Sequence, residues 1–390
     1  MKLYTALLMG ILTGCEIDLF VPSFAELERV FHLTPFMVEL TLSVNLIAHC
    51  ITALIAGNLG DRYGRKPIII WGLGIFILGS MLCVSADSFS ILLIGRFFQG
   101  IGISGPAVLS FLIIVDAYPL EEQQQKMGLL NGIITLAMAF GPVIGSYVNL
   151  YFNWRGNFWL LLILGILCLA LTLVFVPKGE KKPHIRLSIK EYLPVFTNSK
   201  ALLYVFMICF LITSYWVFIA LSPLLYIEDL QIDLKHFGYY QGSLAATFAI
   251  VSLSSGYFLK KYGQRKCLLA GFSLLVLFVI GSILLILFQI NHPLIITGTC
   301  ICLAAGMILP VNILWPMSLE TIHDGKGRVS AIIASMKLAL TSLFIQLVSY
   351  FYNKTFTYIG IAMCLCIILS FVCFYYLIKK DQKVGALIKE

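Results

Sequence analysis

Four ionisable residues stand inside long apolar stretches of this 390-residue sequence: Glu16, Asp18, Arg96 and Lys337. A charge within hydrocarbon is costly and marks a functional position by default. The chemistry open to two acids, a guanidinium and an ammonium there is reversible protonation and capture of a charged group. Bond breaking is not indicated. No H-E-x-x-H or G-x-S-x-G pattern offers a catalytic set, and no Walker A loop offers a nucleotide cradle. The chain therefore reads as no enzyme. Its 11 cysteines lie almost wholly in apolar runs and none has C-x-x-C spacing. They read as small buried hydrophobes rather than metal or disulfide ligands, so no metal and no cofactor is expected.

The composition says what must position these groups. The chain is 60% hydrophobic and only 12% charged, against about a quarter charged in a soluble domain. Runs of about 20 apolar residues each span a bilayer as a helix. Twelve can be placed: 4–24, 35–57, 68–86, 90–116, 127–150, 157–176, 201–224, 237–259, 267–289, 294–319, 328–352 and 354–378. The expected fold class is an all-α membrane protein. The first helix carries Glu16 and Asp18, unlike a cleaved signal, and reads as retained.

One connector is long and basic, from Pro177 to Lys200. It separates residues 1–176 from 201–390, two six-helix bundles joined by a cytoplasmic linker over 177–200. Of 27 Lys and Arg, 21 fall on the side that holds both termini, if the N-terminus is cytoplasmic. Only Arg29, Arg155, Lys235 and Lys354 fall outside. This bias places both termini in the cytoplasm and makes the net charge of +8 a matter of topology, not of nucleic-acid binding. A weak repeat supports the halves. Gly57 to Arg65 follows the second run, and Gly256 to Gln264 follows the eighth, with Gly, Tyr and Gly in register.

The segment Gly57-Asn58-Leu59-Gly60-Asp61-Arg62-Tyr63-Gly64-Arg65-Lys66 resembles the G-x-L-x-D-R-x-G-R-K loop of the major facilitator superfamily. Three more segments are similar to its twelve-span drug:proton antiporter branch. They are Arg96-Phe97-Phe98-Gln99-Gly100-Ile101-Gly102, Gly141-Pro142-Val143-Ile144-Gly145 and Trp154-Arg155-Gly156-Asn157-Phe158. Ala137 stands where a further glycine is expected. Asp18-Leu19-Phe20-Val21-Pro22 and Glu39-Leu40-Thr41-Leu42-Ser43 look like segments of the Bcr/CflA subfamily.

The resemblance implies a major facilitator fold, with Gly57, Asp61, Arg62, Gly64 and Arg65 as a gating loop. Gly141, Pro142 and Gly145 become the antiporter motif. Asp18, alone or with Glu16, becomes the proton carrier, and Arg96 tunes it. Asp18 and Arg96 lie at depths that agree to within a turn, so they could pair across helices, directly or through water. Asp18 then either alternates between a proton and a cationic group or forms a static ion pair. Glu16 is about 200° round the helix from Asp18. It either replaces an acid that some relatives carry where Gly10 stands, or faces the rim. Lys337, about 14 Å into its helix, faces a central cavity, where it would favour anionic ligands, or partners Glu16, Asp18 or a carbonyl. Asn45, His49, Gln99, Tyr215, Trp216, Asn312 and Gln346 complete the candidate cavity lining.

These features point to proton-coupled efflux of small amphipathic compounds across the bacterial inner membrane by alternating access. The proton gradient would be the energy source, and substrate and proton would compete for one carboxylate. The expected partners are a small-molecule substrate, protons and the lipid bilayer, with a monomer as the family default. The principal rival is a dedicated exporter of an anionic metallophore or metabolite. A sensor or scaffold without transport, which needs no antiporter motif, is a further rival.

Overall fold

The computed structural model describes residues 2–176, 192–322, 326–382 and 384–385, and these are helical, with no strand among them. The helices are α1 (Lys2–Asp18), α2 (Phe24–Phe31), α3 (Pro35–Tyr63), α4 (Arg65–Val84), α5 (Phe89–Ala117) and α6 (Leu120–Phe175). They continue as α7 (Leu193–Thr197), α8 (Ser199–Pro223), α9 (Leu234–Leu287), α10 (Pro293–Leu319), α11 (Lys326–Phe351) and α12 (Phe356–Lys380). Local chemistry sets several starts. Thr34 and Ser88 cap α3 and α5 by accepting from Met37 and Ile91 N–H, and Asn198 caps α8 by accepting from Lys200 and Ala201 N–H. Each cap satisfies amide donors that the first turn leaves open.

Ten helical segments among the described residues are long and apolar enough to cross a membrane. Two of them run to 50 and 54 residues, or roughly 80 Å, against a hydrocarbon core of about 30 Å. Each is broken once, α6 at Asn153 and α9 at Gly263. In α6 the chain folds back there. The Asn157 side chain donates to the Gly145 carbonyl at 3.2 Å, although twelve residues of straight helix would hold them about 18 Å apart. The ten segments thus make twelve crossings. Large apolar side chains such as Trp71, Tyr151 and Leu287 point outward, the surface that a lipid solvent requires.

The first crossing differs from its sequence reading. It does not stop at 24. α1 ends at Asp18, a 3-10 turn runs over Val21–Ser23, and α2 carries the crossing on to Phe31. Pro22 lies at the start of the 3-10 turn, where its missing N–H interrupts the ladder. The amphipathic Glu26, Glu28 and Arg29 disguise α2 as a connector.

The chain forms two compact units, Met1–Leu187 with Asp233–Gly242, and Ser188–Ile232 with Ser243–Glu390. Residues 177–191, most of the expected linker, lie outside the described residues. Within the first unit α4 packs on α5, α1 on α6 and α3 on α5. The first turns of α9 belong here too, with the Tyr239 and Tyr147 hydroxyls 2.7 Å apart. Within the second unit α8 packs between α11 and α12.

The sequence repeat has a geometric counterpart. Gly64 (φ 95°, ψ 152°) and Gly263 (φ 79°, ψ 164°) take nearly the same conformation, one that is essentially confined to glycine. Both are the sharp links between consecutive crossings. Helix approach repeats as well. A Cβ on Gly72 would meet the Gly102 carbonyl at 2.8 Å, and one on Gly271 would meet the Gly306 carbonyl at 2.8 Å, each beside a proline, Pro106 and Pro310. Small residues let the backbones touch in both units. Gly64→Ala is expected to cost about 1–3 kcal/mol. It should lower the thermal midpoint of the detergent-purified protein, followed by tryptophan fluorescence, and Gly263→Ala should do the same.

Candidate functional site

The buried charges of the first unit converge on Arg96. Its side chain is fully buried in α5. Arg96 Nη1 donates to Glu16 Oε1 at 3.1 Å and to Gln99 Oε1 at 2.8 Å, and Nε donates to the Thr41 carbonyl at 3.3 Å. Asn45 Nδ2 donates to the same Glu16 oxygen at 2.8 Å and to the Arg96 carbonyl at 3.1 Å. Gln99 Nε2 passes the chain on to Ser80 Oγ at 2.8 Å. The Phe20 ring lies 4.8 Å from the guanidinium and Phe158 6.0 Å. One network therefore ties α1, α3, α4 and α5 together. A buried ion pair persists only with such added hydrogen bonds, because each charge has lost its water.

Asp18 is not in that network. The expected Asp18–Arg96 pair is replaced by Glu16–Arg96. The reason is helical phase. Depth could not separate two acids on the same turn, but their faces differ. The Glu16 face turns to α3 and α5. The Asp18 face turns to α6, where a Cβ on Gly141 would stand 2.8 Å from the Asp18 Cβ. Glu16 is accordingly buried and not at the rim. Asp18 is 1% exposed, and its Oδ2 has no hydrogen-bond partner among the described residues.

The Gly141-Pro142-Val143-Ile144-Gly145 segment is the seat on which Asp18 rests. A Cβ on Gly145 would come 2.2 Å from the Leu19 carbonyl. One turn back, Gly14 meets the Ile134 carbonyl and the Ala137 methyl at 2.6 and 2.9 Å by the same measure. The glycine missing at 137 is thus supplied from the facing helix. Ser146 Oγ donates to the Pro142 carbonyl at 2.8 Å. Asn157 and Asn149 both donate to Ser23 Oγ, at 2.8 and 3.3 Å, and so pin both limbs of α6 to the break after Asp18. Gly145→Ala is expected to push the end of α1 off α6. It should reduce transport in cells while the protein remains detectable in membranes, as transport and immunoblot assays would report.

In the loop, Gly57 packs near Val108, and the Arg62 guanidinium lies 5.4 Å from the Tyr63 ring. Arg65 pairs with Asp116 at 3.1 Å. Lys66 donates to the Leu173 carbonyl at 2.7 Å, capping the end of α6. The Asp61 side chain lies outside the described residues. Of the cavity candidates, Asn45 and Gln99 are wholly buried in the Arg96 network. Tyr215 is buried with its ring 5.7 Å from Phe248. His49, Trp216, Asn312, Gln346 and Lys337 are half-buried. Lys337 has no ion-pair partner among the described residues.

The family model described as Major Facilitator Superfamily matches residues 6–345. The chain belongs to the major facilitator superfamily. This facilitator is 24% identical over 381 residues to a "Bicyclomycin resistance protein homolog" of Haemophilus influenzae, covering 96% of each chain. It is 26% identical over 339 residues to "Multidrug resistance protein MdtL" of Escherichia coli, covering 85% of this chain and 84% of the relative. These relatives agree with the drug:proton antiporter branch and its Bcr/CflA-like group. Among solved structures, a D-xylose–proton symporter superposes with a TM-score of 0.74 at 15% identity, covering 95% and 96% of the two chains. A bacterial homologue of the lysosomal transporter Spinster gives 0.76 at 13% identity, covering 98% and 97%. At those identities the likeness shows the fold alone. The family is one of transporters and not of enzymes.

Two features of this facilitator escaped the sequence reading. Glu39 is fully buried, with neither carboxyl oxygen hydrogen-bonded among the described residues. Its signal was an acid one turn inside a run that has no further Asp, Glu, Lys or Arg until Asp61. The Ser23–Asn149–Asn157 cluster carried no signal, because its members meet only once α6 has folded back.

Proposed function

We propose that this facilitator exports small amphipathic compounds in exchange for protons, by alternating access, with Asp18 as the proton carrier. The observation that carries this reading is the division of labour between two neighbouring acids. Glu16 and Arg96 neutralise one another inside a hydrogen-bonded network. Asp18 is left buried, beside the antiporter motif, with an oxygen that no group among the described residues engages. Binding cargo in one state and a proton on Asp18 in the other couples the two fluxes. Arg96 acts by holding Glu16 away from that exchange, and the loop around Asp61 gates the inward side. The proton gradient drives the cycle without a cofactor. The protein works as a monomer in the bacterial inner membrane with both termini in the cytoplasm, as its Lys and Arg distribution favours.

The test is proton movement in everted membrane vesicles energised by respiration. Lipophilic cations, neutral drugs and polycarboxylate metallophores are added in turn. Collapse of the pH gradient by at least one class, only in vesicles that carry the protein, is expected. No collapse with any class would contradict proton-coupled export. A second reading, export of an anionic cellular product such as a metallophore, is favoured by the unpaired Lys337.

A further inference from the structure

The second unit holds a charge that the proposed proton exchange does not use. α8 and α11 pack along a buried stripe in which Val205, Ile208 and Cys209 meet Val329, Ile332 and Ile333. The stripe has two polar contacts. Cys209 Sγ donates to the Ile333 carbonyl at 3.7 Å, and the Thr213 and Thr341 hydroxyls lie 3.1 Å apart. Cys209 and Thr213 are one turn apart on α8. Ile333, Lys337 and Thr341 are successive turns of α11, so Lys337 stands between the two contacts.

Its side chain is not turned to lipid. The exposed apolar face of the outer half of α11 carries Leu343, Leu347 and Tyr350, which lie about 80–140° round the helix from Lys337. Nor can the ammonium reach an interface easily, being about 14 Å in from Arg328. No carboxylate or carbonyl among the described residues accepts a hydrogen bond from it, and the residue is half-buried, so its three donors remain open to a ligand. In the Thr213–Thr341 pair one hydroxyl donates to the other, and both residues are buried in the seam. Two turns beyond Lys337 on the same stripe is Phe344, whose ring lies 6.3 Å from Phe210 on α8. Both rings are half-buried. A cationic head and an aromatic ledge together match a ligand of complementary build.

We infer that Lys337 anchors the anionic group of the cargo, and that the cargo is an amphipathic carboxylate. Its oxyanion is held by the Lys337 ammonium, and its apolar body lies along Phe210 and Phe344. This rests on the transporter reading above and names the substrate class within it.

The test is equilibrium binding to the purified full-length protein in detergent, with no gradient present. The probes are pyrenebutyrate, its primary amide, and a pyrenebutyl trimethylammonium. Wild type is expected to bind pyrenebutyrate most tightly. Lys337→Met keeps the apolar stem and removes the charge. It should weaken pyrenebutyrate by about tenfold or more, as loss of a charge-assisted hydrogen bond implies, and leave the amide unchanged. Lys337→Arg, which retains a cation, should retain the preference for carboxylate over amide, and it serves if the methionine variant does not fold. Three results would overturn the proposal: tighter binding of the trimethylammonium probe to wild type, no binding of any probe, or equal loss of all three in the variants. Binding is read with no gradient present, so it does not depend on proton coupling. A failure of proton coupling through Asp18 would therefore leave this result standing, and the converse also holds.

Discussion

Replacing Arg96 with leucine is expected to destabilise the protein by about 3–5 kcal/mol, the cost of leaving one partner of a buried ion pair unmatched. Glu16 would keep its place in the core with only Asn45 donating to it. Gln99 would lose the guanidinium that engages its carbonyl oxygen at 2.8 Å. Thermal unfolding of the purified protein measures the loss. The double variant Arg96→Leu/Glu16→Leu is expected to recover more than half of it, because the stranded charge is gone. If the double variant is no more stable than the single one, the guanidinium matters through its packing against Phe20 and Phe158 and not through its charge.

Asp18→Asn is expected to abolish energised transport and spare the fold. Asparagine has nearly the same volume, so the contact with Gly141 and the break before Val21 are kept. It cannot exchange a proton. Unlike Glu16, Asp18 has no ion-pair partner among the described residues to strand, so the change carries no comparable stability cost. Energised efflux from cells should fall to the level of cells that lack the protein. Exchange of labelled for unlabelled cargo down no gradient should continue, since it requires no change of protonation. Glu16→Gln should behave differently, losing stability before coupling, because it leaves Arg96 without its counter-ion.

Much of the fold was legible because its signals are local. The twelve apolar runs need only length and composition, and the glycines at 64 and 263 need only their own backbone angles. The Gly57–Arg65 motif is long enough to name the family without any geometry. The site was half legible. Glu16, Asp18, Arg96, Asn45 and Gln99 could all be singled out as polar groups in apolar surroundings. Which acid meets Arg96 could not, since that depends on how α1 is rotated against α5, and both acids sit at the same depth. α2 was missed for the opposite reason. Its charges make it look like a connector, although Phe24 and Leu27 bury it against the first unit. Ala137 read as a departure from the motif until Gly14 was seen facing it.

The most direct measurement is proton movement in liposomes that hold only the purified protein, with a cargo gradient imposed and no other source of energy. Internal pH is followed by a trapped dye. Wild type should move protons opposite to the cargo, and Asp18→Asn should move none while still exchanging labelled cargo. If Asp18→Asn drives the same pH change as wild type, Asp18 is not the proton carrier and the central claim fails.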